Sequence, residues 1–134
     1  MKKRMLFLCT NNSVRSQMAE GLMRHLRGID YDVFSAGTNP TQVNQSAIEV
    51  MKEIGIDISG QKSKSIKEFI DKTFDVVVTL CDSAKESCPI FPGAKKIIHH
   101  SFPDPSKEYA DFDERLEPFR ETRDEIENWI KKNF

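Results

Sequence analysis

The chain has 134 residues, 38% apolar and 31% charged, and its 20 Lys and Arg against 21 Asp and Glu leave a formal net charge of -1. That length suits one domain, spanning 1–134, with its own hydrophobic core, and the near-neutral balance gives no general attraction to nucleic acid or anionic membrane, so any anion binding must be local. After the basic start, the apolar run Met5 to Leu8 is too short for a signal-peptide core or a membrane span, and the chain reads as cytoplasmic.

MLFLC, residues 5–9, is a compact apolar strand candidate. From Ser16 the apolar Met18, Ala19, Leu22 and Leu26 recur at helical spacing, with Gly28 as a stop signal. YDVFSAG predicts a second strand at about Asp32 to Ala36, ended by Gly37. Ala47, Val50, Met51 and Ile54 fall on one helical face that closes at Gly55, and SIKEFID suggests a short helix. The run Val76, Val77, Val78, Leu80 has the length and β-branching of a strand buried on both faces. GAKKIIHH is a weaker fourth strand, and the last helix carries the stripe Phe119, Ile126, Trp129 and Ile130, with Pro118 expected in its first turn. Strands alternating with helices imply right-handed parallel crossovers, hence an open α/β sheet with helices on both faces. Ligands of such sheets sit beyond the carboxyl ends of the strands, where Cys9 and Cys81 both fall.

A cysteine that ends a buried strand can be core filling. The residues after Cys9 point elsewhere: Thr10, Asn11, Asn12, Ser13 and Val14 lead to Arg15 and Ser16 at the start of a helix. A strand-loop-helix junction aims backbone N–H groups and the positive helix end at one point, which suits an oxyanion and stabilises a thiolate. Arg15 adds a planar, bidentate grip on phosphate-like oxygens. Asn11 and Asn12 suit a loop that must curl its amides inward, because Asn tolerates the left-handed backbone region, and Ser13 and Ser16 offer hydroxyls.

LCTNNSVRSQMAEG resembles the phosphate loop of the low-molecular-weight protein tyrosine phosphatase fold, and RSQMAEG is similar to the thioredoxin-coupled arsenate reductases within it. The resemblance implies a four-stranded parallel sheet, Cys9 as nucleophile, Arg15 as oxyanion clamp, and Asn12 and Ser16 supporting loop and thiolate.

Three cysteines, Cys9, Cys81 and Cys88, are an odd number in a chain that needs no disulfide staples, which leaves reduced thiols or redox chemistry. In a helix Cys81 and Cys88 would be about 10.5 Å apart along the axis. A disulfide needs Cα atoms about 4.4 to 6.8 Å apart, so a bridge requires an unwound segment. Zinc fits poorly, since the gap exceeds the usual ligand spacing and the adjacent His99 and His100 point to opposite faces of a strand; no metal site is expected. TLC, the Cys81 to Cys88 spacing and the subsequent CPI again resemble the arsenate reductases. By that resemblance Cys9 attacks arsenate, Cys81 attacks the Cys9 sulfur and releases arsenite, and Cys88 attacks Cys81 to leave a disulfide that thioredoxin reduces.

Asp104, between Pro103 and Pro105, sits on a stiff loop and reads equally well as a turn aspartate or an acid. The resemblance assigns it the general acid that protonates the leaving oxygen. It further implies no tightly bound cofactor, thioredoxin as external reductant, arsenate as substrate with phosphate and sulfate competing, weak phosphatase activity, and a monomer. The sequence departs from the family at Asn11 (usually Gly), at Val14 (often Cys) and at His99, His100 and Ser101 (usually His-Trp-Gly). Some members bind potassium near the loop: Asn12, Glu20 and Ser35 match, but Lys62 and Lys64 replace the other ligands, so no potassium requirement is expected. Two rival readings are a phosphotyrosine phosphatase, which leaves Cys81 and Cys88 without a task and has Ser106 where that branch carries an aromatic, and a non-catalytic phosphocysteine or anion-binding module, which leaves Arg15 and Asp104 without one.

Overall fold

The computed structural model describes residues 2–81, 91–105 and 112–134, with side chains from 116 onward in the last segment. Its elements run β1 (Lys3–Cys9), α1 (Arg15–Arg27), β2 (Tyr31–Gly37), α2 (Gln45–Glu53), a 3-10 turn (Ile66–Glu68), β3 (Phe74–Thr79), β4 (Ala94–His99) and α3 (Phe112–Asn133). The four strands form one parallel sheet in the order β2-β1-β3-β4. The chain leaves β1 on one side to build β2, then returns to the other side for β3, so the topology switches at β1.

Alternation along the central strands sends successive residues to opposite faces. Met5 and Phe7 of β1 with Val76 and Val78 of β3 face the larger core, where Met18, Leu22, Val50, Met51, Phe119 and Ile126 from the three α-helices meet them. Leu6, Leu8 and Val77 face a smaller core with Phe69, Phe74 and Phe91, capped by the 3-10 turn through Ile66. Helical segments therefore cover both faces, unequally. β4 lies at the sheet edge, and exposed Lys95 and Lys96 discourage pairing with another chain there.

Two elements differ from expectation. SIKEFID forms only a 3-10 turn, started by a reciprocal capping box in which the Ser65 side chain receives the Lys67 amide and Glu68 reaches back to the Ser65 amide. Pro118 does not open the last helix; α3 begins six residues earlier and carries the proline inside. An interior proline removes one helix hydrogen bond and costs roughly 3 kcal/mol. Leu116 and Phe119, buried on either side of it, supply packing that offsets the loss.

Candidate active site

The loop from Cys9 to Arg15 is shaped by its surroundings as much as by its own residues. Asn12 takes a left-handed φ of 46°, as expected of an asparagine; Asn11 does not. Gly37, at the end of β2, lets the loop approach: a Cβ there would lie 2.5 Å from Thr10 O and 2.8 Å from the Asn12 nitrogen. The carbonyls of Thr10, Asn11 and Ser13 accept from the amides of Asn39, Thr41 and Asn44 at 2.8, 3.3 and 3.0 Å. Carbonyls held outward in this way turn the loop's N–H groups inward.

Inside the loop is a small cavity of about 40 Å³ lined by Cys9, Asn11, Ser13, Val14, Arg15 and Asp104. Helix α1 starts at its edge with no side-chain cap and no acidic residue in its first turn, so its positive end faces the cavity unneutralised. Cys9 is a free, buried thiol, and Ser16 Oγ lies 2.8 Å from its sulfur. Arg15 is 4% exposed and fixed by a hydrogen bond from Nη1 to Phe102 O at 3.3 Å. Its Nη2 stands 3.9 Å from Asp104 Oδ2, which ties the proline-flanked loop to the anion loop.

Behind the cavity runs a buried polar network. Asn12, fully buried and turned away from the cavity, donates from Nδ2 to Ser16 Oγ at 2.7 Å and Ser35 Oγ at 3.0 Å. Ser35 in turn donates to Glu20 Oε1 at 2.6 Å. The Glu20 carboxylate is held by Arg24 at 3.0 Å and by Lys64 Nζ at 3.6 Å, and Lys64 also donates to Lys62 O at 2.6 Å. A larger cavity of about 560 Å³ opens beside Glu20, Arg24 and Lys64 but reaches neither Cys9 nor Arg15.

Cys9, Asn11, Ser13, Val14, Arg15 and Asp104 are thus brought together around one cavity, with Ser16 and Asn12 beneath them. Thr10 contributes its carbonyl to the outer wall and does not line the cavity. Cys81 is fully buried and disulfide-bonded, and Cys88 falls outside the described residues. Leu8 pairs with Thr79 and accepts from the Leu80 amide at 2.8 Å, so Cys81 comes one residue past the backbone neighbour of Cys9. His99 bonds Thr79 Oγ1 through Nδ1 at 2.7 Å, while His100 stacks on Trp129 at 5.1 Å. Two residues of the site carry no signal in the sequence. Gly37 looks like an ordinary strand end, and Gln17 looks like a polar helix position, although it is fully buried.

A free thiol, a guanidinium and a carboxyl around an oxyanion-sized space can bind a tetrahedral anion, attack it and protonate what leaves. Residues 4–134 match the family model described as low molecular weight phosphotyrosine protein phosphatase. The chain belongs to that family. Within it, the chain is similar to an arsenate reductase of Halalkalibacterium halodurans, 47% identical over 130 residues that cover 97% of this chain and 94% of that protein. A solved arsenate reductase in its phosphate-binding state superposes with a TM-score of 0.81 at 34% identity, covering 98% of this chain and 95% of its own. A thioredoxin-dependent arsenate reductase of Corynebacterium glutamicum gives a TM-score of 0.74 at 27% identity, over 98% of this chain and 59% of the other. The resemblance drawn from the motifs is borne out, as is the four-stranded parallel sheet it implied.

Proposed function

We propose that this chain is an arsenate reductase working through three thiols. The observation that carries the reading is the pairing of states at neighbouring strand ends: Cys9 is a free thiol in the anion loop, while Cys81, beyond β3, is already disulfide-bonded. A phosphatase has no use for the second feature.

Arsenate binds in the loop against the inward amides and Arg15, and the Cys9 thiolate attacks arsenic as Asp104 gives a proton to the departing oxygen, which leaves as water. The Cys81 thiolate then attacks the Cys9 sulfur. The arsenic–sulfur electron pair goes to arsenic, which departs as arsenite, and a Cys9–Cys81 disulfide remains. Cys88 attacks Cys81 and frees Cys9, leaving a Cys81–Cys88 disulfide. The two electrons come from the thiols and are restored by the external dithiol of thioredoxin. A free Cys9 beside an oxidised Cys81 is the state that the last exchange leaves behind.

Potassium has no place in this reading. The position beside Asn12, Ser35 and Glu20 already receives the ammonium of Lys64, 3.6 Å from the Glu20 carboxylate, so the donor set does not fit a second cation.

The test is thioredoxin-coupled NADPH oxidation with arsenate in wild type, Cys9→Ser, Cys81→Ser and Cys88→Ser, with p-nitrophenyl phosphate hydrolysis assayed in parallel. All three variants are expected to lose sustained arsenate reduction, and only Cys9→Ser to lose phosphate-ester turnover. The family match and the Cys9, Arg15 and Asp104 grouping also favour a second reading, a phosphatase. Fast ester hydrolysis indifferent to Cys81 and Cys88, with no arsenate turnover, would establish it instead.

A further inference from the structure

The hydrogen-bond polarity behind Cys9 is fixed by backbone groups, and one buried side chain outside the cavity transmits it. Gln17 Nε2 lies 3.0 Å from Asn12 O, 2.9 Å from Asn12 Oδ1 and 2.8 Å from Lys62 O. Two of these are backbone carbonyls, which accept and never donate, so the end of Gln17 that faces them is its NH2 group. Gln61 is fixed by the same logic: its Nε2 donates to Gln17 O at 3.0 Å and to Gln17 Oε1 at 2.7 Å. Asn12 Oδ1 then receives both Gln17 and the Lys64 backbone N–H at 2.8 Å. Asn12 must present Nδ2 to Ser16 and Ser35. Having accepted from Asn12, Ser16 Oγ is free to turn its own hydrogen to the Cys9 sulfur at 2.8 Å. A donor aimed at sulfur favours the thiolate over the thiol.

We propose that Gln17 is a positioning residue for the nucleophile: by donating to Asn12 O and Oδ1 it holds the left-handed turn and aims the Ser16 proton at Cys9. The proposal rests on the reading of Cys9 as nucleophile. Gln17 does not line the cavity, so it acts only through Asn12 and Ser16.

The test uses the full chain with Cys81→Ser and Cys88→Ser, which leaves Cys9 as the one thiol of three, and tracks its alkylation by iodoacetamide against pH. Gln17→Met keeps the length and removes both donors. Gln17→Glu keeps the shape, sets a carboxylate against the acceptors, and favours an Asn12 flip that draws the Ser16 proton away from sulfur. Both are expected to lower the rate at about pH 6.5 by about tenfold. At about pH 9.5, above the range in which an ordinary thiol ionises, their rates should match the parent. Gln61→Met, one bond further out and only half-buried, should show the same pattern with a smaller fall, and it decides the matter if neither Gln17 variant folds. Equal loss at both pH values, or no loss at either, would overturn the proposal. A parent no faster at about pH 6.5 than a cysteine peptide would overturn the Cys9 reading itself, which is a different failure from a fast parent matched by its variants.

Discussion

Glu20 and Glu53 are each held by two cationic side chains, at very different depths. Glu20 is 5% exposed and meets Arg24, Lys64 and the Ser35 hydroxyl behind the anion loop. Glu53 is 36% exposed and joins Arg120 at 2.8 Å and Arg123 at 2.9 Å, pinning α2 to α3 on the surface. A buried carboxylate that loses its partners cannot recover its hydration, whereas a surface one can. The same grouping of charges is therefore structural glue of modest value at Glu53 and an indispensable support at Glu20, because only the second is wired through Ser35 and Asn12 to the thiol.

The contrast can be broken most directly at Glu20. Glu20→Ala strands Lys64 and the Ser35 hydroxyl in a mostly buried place and should cost on the order of 3 kcal/mol in urea unfolding. A loss below about 1 kcal/mol, the ordinary surface value, would erase the distinction.

Arg120→Met should cost at most about 1 kcal/mol at neutral pH, since both partners are partly solvated. Hydrogen bonds from Arg120, then Arg123, hold the Glu53 carboxyl below its usual value against the opposing effect of burial. A carboxyl whose pKa is lowered on folding contributes stability that is present above its unfolded value and lost as pH falls through the folded one. The gap between wild type and Arg120→Met in urea midpoint should therefore narrow as pH falls through and below the usual carboxylate range. A gap that persists undiminished there would assign the effect of Arg120 to packing of its stem.

The smallest effect expected is none: arsenate turnover in potassium chloride should equal that in sodium chloride at the same ionic strength, because Lys64 already neutralises Glu20. Strong activation by potassium would mean that the lysine gives way to the ion.

Much of this architecture was legible in the residues. Apolar runs located all four strands, glycines at 28 and 55 marked two helix ends, and the Cys9 to Ser16 pattern led to the anion loop. What escaped was non-local. Helix α1 looks amphipathic, yet every residue from Arg15 to Met23 is buried, because the segment around Ile58 and Gln61 lies on its outward face. Nothing near Gln17 in sequence announces that cover. Gly37 is required by Thr10 and Asn12, loop residues that the fold brings against it from the neighbouring strand. The local rule for prolines places Pro118 in a first turn, and the packing of Leu116 and Phe119 overrides that rule. Its neighbours alone leave Asp104 balanced between turn and acid, the family resemblance assigns it the acid, and the fold sets it 3.9 Å from Arg15 on the rim of the Cys9 cavity.

The most direct test of the three-thiol account is a single turnover of Cys88→Ser. The reduced variant, mixed with one equivalent of arsenate and no thioredoxin, should release close to one arsenite per chain. Peptide mapping without reductant should then find Cys9 joined to Cys81, since no third thiol is present to resolve them. Arsenite release with Cys9 still free, or no arsenite at all, would contradict the relay.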